Sequence, residues 1–149
     1  MPKRAKINLL KISQALVGSP YCLGSWDRKK GLDCFSLVGS YLKMRGVTLD
    51  REMEGVKIDD YKELFLREPE KAKALMVLYI EKHMDELPIS KRLAGDVLLL
   101  SLANQGTFLA IDGGNGNIVA ASEENGVSVT PLNHYSIEKA FRCRKHYHS

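Results

Sequence analysis

The hydrophobic pattern of the first third of the chain predicts two helices separated by a loop. Residues 3–17 repeat apolar side chains at helical spacing, and Gly18 and Pro20 end that run. A loop rich in glycine, serine and charge follows. Asp33 is suited to cap a second helix that ends at Gly46. The apolar positions of this helix are Cys34, Leu37, Val38, Tyr41 and Leu42.

The pattern of residues 47–92 predicts a helical middle section. Asp59 or Asp60 can cap a short helix there, and Pro69 suits the first turn of a longer one. The predicted buried stripe of the longer helix consists of Ala72, Leu75, Met76, Tyr79, Ile80 and either His83 or Met84.

After Gly95 the pattern changes to that of strands. The run "DVLLLSLA" is typical of a buried strand, and "TFLAI" and "NIVAAS" flank the hairpin turn "DGGNG". A second turn, "ENG", precedes the alternating "VSVTPL", and a last strand places Phe141 and Cys143 on one face. Helices followed by an antiparallel sheet predict an α+β fold, and we expect one domain over residues 1–149.

Composition narrows the class of protein without identifying it. The chain has 149 residues, 44% hydrophobic and 27% charged, which is typical of a globular protein, and its net charge of +4 weakly favours anionic partners. The basic stretches "PKRAK", "DRKK" and "RCRK" are short and separated, so no nucleic-acid partner is predicted. No apolar run is long enough to span a membrane or to form a signal peptide, which predicts cytoplasmic synthesis.

Cys34 raises the main question about chemistry. A cysteine in the first turn of a helix is favoured as a thiolate by the helix dipole and the unpaired N–H groups. A small buried core residue would give the same local pattern. Three scattered cysteines form neither a disulfide framework nor a metal site, and "DGGNGN" joins two strands instead of opening a phosphate-binding helix. No metal or cofactor is therefore predicted.

The order of several motifs resembles the NlpC-type cell-wall peptidases, a papain-like family. The resemblance covers residues ~15–46 and ~94–144, and the helical middle section is not matched in detail. The segments that carry it are "ALVGSPYCLGSWDRKKGLDCFSLVGSYLKMRGV", "AGDVLLL", "TFLAIDGGNGNIVAAS" and "GVSVTPL". The resemblance implies a papain-like fold in which the N-terminal helices pack on an antiparallel sheet.

The resemblance also implies roles for individual residues. Cys34 occupies the position of the nucleophile, Tyr21 that of a tyrosine lining the site, and Asp33 that of an aspartate holding the free amine of the substrate. Members of the family cleave peptidoglycan peptides, typically between D-glutamate and a diamino acid. Such a mechanism needs a histidine base and a third polar group that orients it.

The chain departs from the family at both of these positions. Phe108 stands where the family has the histidine base, and Ala120 stands where it has the orienting residue. Neither side chain transfers protons. Phe35, which follows the nucleophile, and Phe108 are expected to flank Cys34 with aromatic rings and so to raise its pKa.

Other polar residues near these motifs have structural explanations. We interpret His83 as a helix-face residue, His134 as a turn residue, and His146 and His148 as parts of a tail after the last strand. Asp112 fits the chemistry of the hairpin turn.

The sequence thus leads to three hypotheses of function. The first is a degenerate NlpC-type domain that binds wall peptide or serves a structural role, such as in a phage tail tip, with phage tail proteins as partners and the virion tail as location. The second is an active cysteine hydrolase that uses Cys34 and takes its base from elsewhere, such as the tail or a partner chain. The third is an assembly module without a substrate.

Overall fold

The computed structural model describes residues 14–103 and 106–144. Within them, residues 14–16 are helical and residue 17 is in a turn, whereas residues 3–13 of the predicted N-terminal helix lie outside the described residues, as do His146 and His148. The three longer helices are α1 (Cys34–Met44), α2 (Lys62–Arg67) and α3 (Pro69–His83). The strands are β1 (Glu52–Met53), β2 (Val56–Lys57), β3 (Met84–Leu87), β4 (Val97–Ser101), β5 (Thr107–Gly114), β6 (Asn117–Ser122), β7 (Gly126–Pro131) and β8 (Ser136–Cys143).

Six strands form one antiparallel sheet in the order β3-β8-β4-β5-β6-β7. The consecutive strands β4 to β7 pair as neighbours, and β8 returns to pair with β4, where Leu98 lies opposite Ala140. The hairpin predicted at "DGGNG" joins β5 to β6, and the Asp112 carboxylate accepts a hydrogen bond from the Gly114 N–H at 2.8 Å. The predicted α+β fold with an antiparallel sheet is confirmed.

The sheet buries apolar residues on both faces. On β5, Leu109 and Ile111 join the cluster that includes the helices, whereas Ala110 belongs to a second cluster on the opposite face. Successive residues of a strand point to opposite faces, so the same alternation places Val119 with the helices and Ala120 with the second cluster. Phe141 and Cys143 both lie in the helix-side cluster, as predicted.

Helix α1 begins at a capping box, in which side chains and backbone exchange hydrogen bonds at the helix start. Asp33 Oδ1 accepts from the Ser36 N–H at 2.8 Å, and Ser36 Oγ accepts from the Asp33 N–H at 2.9 Å. The predicted N-cap is thereby confirmed. Most of the helix is buried, and Gly39 faces the ring of Trp26, where a Cβ atom would overlap the indole. These contacts fix Cys34 at the first helical position.

The middle section contains more than helices. Pro69 occupies the first turn of α3 as predicted, but Tyr61 stands at the N-cap of α2 in place of Asp59 or Asp60, and no side chain caps that helix. Strands β1 and β2 form a small hairpin, and β3 joins the main sheet beside β8. The helical prediction for residues 47–92 misses these strands because elements of two to four residues are too short to show a period.

The loop between residues 18 and 32 is held against both the sheet and the start of α1. Gly18 and Ser19 exchange backbone hydrogen bonds with Val127 of β7, and the Leu32 N–H donates to the Pro20 carbonyl at 2.9 Å. Gly31 has a φ of +132°, and a Cβ atom there would meet the Pro20 carbonyl at 2.7 Å. A glycine is therefore needed where the loop folds back, and this return brings Tyr21 towards the start of α1.

Candidate active site

Cys34 opens on a cavity of about 280 Å³ between the helices and the sheet. Tyr21 contributes to the cavity from the folded-back loop. The middle section supplies Phe65, Lys73, Met76 and Val77, and the sheet and its turns supply Leu99, Thr107, Phe108, Leu109, Ala121, Ser122 and Glu123. The lining is largely apolar and contains one lysine and one glutamate.

The surroundings of Cys34 favour the neutral thiol. Burial raises the pKa of Cys34 to about 11, and the negative charge of Asp33 adds to this increase. A backbone hydrogen bond from Leu109 and the positive charge of Lys73 oppose it without overcoming it. Any benefit from the helix N-terminus is thus outweighed, and little thiolate is expected at neutral pH.

Contrary to the expectation from the sequence, the aromatic ring of Phe35 is not part of the surroundings of Cys34. Phe35 is fully buried on the other side of α1, where it makes edge contacts with Trp26, Tyr61 and Tyr79 at centroid distances of 5.2–5.8 Å. It is absent from the residues that line the cavity. The expectation that Phe35 flanks Cys34 is wrong, because consecutive helical residues point about 100° apart and the core takes up this ring.

Tyr21 and Asp33 occupy different environments, although the resemblance gives both a role with substrate. Tyr21 lines the cavity, and burial together with the charge of Asp33 raises its pKa to about 12, so the phenol stays protonated. Asp33 is 2% exposed, and its Oδ2 accepts hydrogen bonds from the Gly24 N–H at 2.7 Å and from the Tyr61 phenol. The described contacts of Asp33 are structural, and its binding of a substrate amine stays a prediction.

Phe108 lines both the cavity of Cys34 and a second cavity of about 460 Å³. Its ring packs edge-on against Tyr135, with centroids 5.1 Å apart. Ala120 lines the second cavity and not the first. Cys34 and Phe108 thus share one cavity, Phe108 and Ala120 share the other, and neither Phe108 nor Ala120 can accept a proton from the thiol.

The histidines of the described part of the chain lie elsewhere. His83 Nε2 accepts a hydrogen bond from the Asp50 N–H at 3.2 Å, its ring lies 4.7 Å from that of Tyr79, and burial lowers its pKa. His134 is exposed in the short 3₁₀ helix Leu132–His134. Among residues 14–103 and 106–144, no histidine lines the cavity of Cys34.

Within the described residues, no three or more histidine, cysteine or acidic side chains lie together where they could bind a metal ion. The same residues contain no helix with the length and hydropathy needed to cross a bilayer.

Comparison with known proteins decides the family. The sequence model of the NlpC/P60 family matches residues 18–145. The chain belongs to the NlpC/P60 family. None of the curated proteins compared with it matches. The match includes the middle section, for which the sequence motifs gave no detailed correspondence.

Solved structures of this family share the fold at low sequence identity. The NlpC/P60 domain of the peptidoglycan hydrolase SagA is similar with a TM-score of 0.58 and 20% identity, covering 92% of this chain and 97% of that one. An NlpC/P60 family protein from Bacillus cereus has a TM-score of 0.60 and 16% identity, and the similarity covers 93% of this chain and 40% of that one. RipD from Mycobacterium tuberculosis is described as a non-catalytic NlpC/P60 domain protein. It has a TM-score of 0.56 and 14% identity, and the similarity covers 93% of this chain and 96% of that one.

Two charged residues of the cavity were not identified from the sequence. Lys73 lies next to Ala72 in the buried stripe of α3, and Glu123 lies in the turn after β6. A lysine beside a buried stripe is common on helices, so the sequence alone carries no signal that separates this one from solvent-exposed lysines. Only the packing of α3 over the sheet places it near Cys34.

Proposed function

We propose that this NlpC/P60 domain binds peptide from the bacterial cell wall and hydrolyses it slowly or not at all. The observation that carries the proposal is the cavity of Cys34, in which none of the described residues is a histidine. A thiol with a pKa near 11, in a cavity whose described lining contains no histidine, is a poor nucleophile at neutral pH. The cavity itself is retained and is large enough to hold part of a peptide.

The family and its solved members support a peptidoglycan peptide as the ligand. SagA is described as a peptidoglycan hydrolase, and RipD is described as adapted to a peptidoglycan-binding function. RipD offers a precedent within the same fold for binding without catalysis. We extend the binding function, and not the catalytic one, to this chain.

The order of residues across the two cavities supports the loss of an earlier catalytic group. Phe108 lines both the cavity of Cys34 and that of Ala120, as expected if these positions correspond to the base, the nucleophile and the orienting residue of a cysteine peptidase. Replacing the base with phenylalanine removes the proton acceptor while keeping the space filled. The domain would then present a peptide groove without turnover.

A peptidoglycan assay tests the proposal. Purified wall material is incubated with the chain, with Cys34→Ala, and with Phe108→His combined with Ala120→His, while soluble muropeptides and protein bound to the insoluble wall are measured. We expect binding by all three proteins and no release of peptides by the first two. Rapid release by the unmodified chain that disappears in Cys34→Ala would overturn the proposal of slow or absent hydrolysis and favour a hydrolase whose base comes from elsewhere.

The context of a phage tail tip remains part of the proposal for this domain. In that setting the domain would contact other tail proteins and meet the cell wall. The test is stable co-purification of the full chain with tail proteins from phage particles. Co-purification without any wall binding would instead favour an assembly module that has no substrate.

A further inference from the structure

Lys73 brings a positive charge into the otherwise mostly apolar cavity of Cys34. It extends from α3, in the section of the chain whose motifs have no detailed counterpart in the family pattern. Its Nζ lies close to Gly106, where a Cβ atom would be 3.1 Å away, just before β5 begins. Lys73 and Cys34 line the same cavity, and the charge of Lys73 lowers the pKa of the Cys34 thiol.

The ammonium of Lys73 is available to a ligand. Within residues 14–103 and 106–144, its one ion pair is with Glu70, at 3.9 Å, and the Glu70 side chain is 88% exposed. Such an exposed, long pair contributes about 0–1 kcal/mol and is easily exchanged. The Lys73 side chain is only 27% exposed, so its surroundings strengthen a new charge interaction more than bulk water would.

The two charged residues of the cavity indicate where an anionic group of a ligand would bind. Glu123 lines it from the turn after β6 and would repel an anion, whereas Lys73 stands on the helix side. The other lining residues from the helical section are apolar, namely Phe65, Met76 and Val77. A ligand with a carboxylate on an aliphatic chain would satisfy both features at once.

We propose that Lys73 determines the specificity of the Cys34 cavity by binding a carboxylate of the wall peptide. This inference rests on the proposed function and adds the chemical group that is recognised. In a γ-linked D-glutamyl peptide, the α-carboxylate is not used in the peptide bond and is free to pair with an ammonium. In a D-isoglutaminyl peptide the same position is a neutral amide, which forms a weaker hydrogen bond with Lys73.

Two synthetic tripeptides provide the test. L-alanyl-γ-D-glutamyl-L-lysine and its D-isoglutaminyl counterpart differ only in the carboxylate, and calorimetry measures the affinity of each for the full chain. We expect the carboxylate peptide to bind on the order of tenfold more tightly, because a charge-assisted hydrogen bond replaces a neutral one. This preference should decrease as NaCl is raised from 50 to 500 mM.

Three variants separate the effect of Lys73 from that of net charge. Lys73→Met removes the ammonium from the cavity and should abolish most of the preference, whereas Lys73→Arg should keep it. Lys71→Met makes the same change on an exposed position of the same helix and should leave the preference intact. Urea unfolding of each variant checks that the fold is retained.

The possible outcomes distinguish this inference from the proposed function. Equal binding of the two peptides, or a preference that survives Lys73→Met in a folded protein, overturns the role of Lys73 and leaves peptide binding standing. Binding of neither peptide overturns the proposed function, and the inference with it. A preference for the amide also contradicts the inference.

Discussion

The Tyr61 phenol donates a hydrogen bond to Asp33 Oδ2 and so connects the middle section to the start of the helix that carries Cys34. The same carboxylate caps that helix through Ser36 and holds the Gly24 N–H of the loop. Burial and the charge of Asp33 raise the pKa of Tyr61 well above its usual value, so the phenol stays protonated at neutral pH and can donate this hydrogen bond. One buried carboxylate thus fixes three segments around the candidate site.

Tyr61→Phe is expected to destabilise the fold. The substitution removes a donor and leaves a buried carboxylate oxygen with one partner fewer, at a cost of about 1–3 kcal/mol. Urea unfolding followed by circular dichroism measures the change. Tyr79→Phe is the matched control, because the Tyr79 phenol donates to the carbonyl of the partly exposed Asp50, which water can reach. Equal costs for the two variants would contradict the structural role of Asp33.

The Cys34 thiol is expected to react slowly with iodoacetamide at pH 7. Its pKa near 11 means that the reaction rate should keep rising above pH 9, where an ordinary cysteine already approaches its plateau. Peptide mapping by mass spectrometry identifies the alkylated position over a series of pH values. The chain unfolded in urea is the control, since burial is lost there and Cys34 should react faster at pH 8. A midpoint at or below pH 8 in the folded protein would show an activated thiolate.

The charge of Lys73 should be visible in the same measurement. Because the ammonium lowers the pKa of Cys34, Lys73→Met should raise the pKa further and slow alkylation at a given pH. Lys71→Met, on an exposed position of the helix, should leave the rate unchanged. A rate that rises in Lys73→Met would show that access to the thiol, and not charge, controls the reaction.

Gly39→Ala is expected to disturb the packing of α1. A Cβ atom would overlap the Trp26 ring, whose Nε1 is held by the Ile58 carbonyl at 3.0 Å, so we expect a cost of about 1–3 kcal/mol. The chain has one tryptophan, so its fluorescence reports the displacement as a shift to longer wavelength. Ser40→Ala, on the next helical position, is the control and should change neither quantity. Unchanged emission and stability in Gly39→Ala would show that the ring does not rest on this helix.

The ion pair of Asp96 and Arg142 should contribute to the stability of the sheet. Asp96 is buried, and Arg142 donates to both of its carboxylate oxygens at 2.9 and 2.8 Å. Arg142→Met leaves that carboxylate without its cation, at a cost of about 3 kcal/mol. Arg67→Met is the control, because the Arg67–Glu68 pair is 3.9 Å long and exposed, and should cost less than about 1 kcal/mol. Thermal unfolding compares the stability of the two variants. A similar loss of stability in both would argue against a contribution from the buried ion pair.

Much of the fold follows from local sequence, and the predictions that were wrong have identifiable physical causes. The capping aspartate, Pro69 at the start of α3 and the hairpin turn at residues 112–116 were predicted because each depends on neighbours a few residues away. The strands β1 to β3 were missed because they are too short to show a period, and β3 also depends on a pairing partner that lies about 55 residues along the chain. The direction of Phe35 was wrong because the packing of Trp26, Tyr61 and Tyr79 determines it.

By itself, the sequence determined the periodicity of the elements and the family resemblance, and it predicted that Phe108 stands at the position of the family's histidine. The tertiary structure decided which side chains meet at Cys34. Helix α3 crosses above the sheet and brings Lys73 into the cavity. The Asp33 side chain does not line the cavity and instead accepts a hydrogen bond from Tyr61. These contacts join residues 28 to 39 positions apart, and such distances are set by the packing of whole elements, which no local pattern of residues encodes.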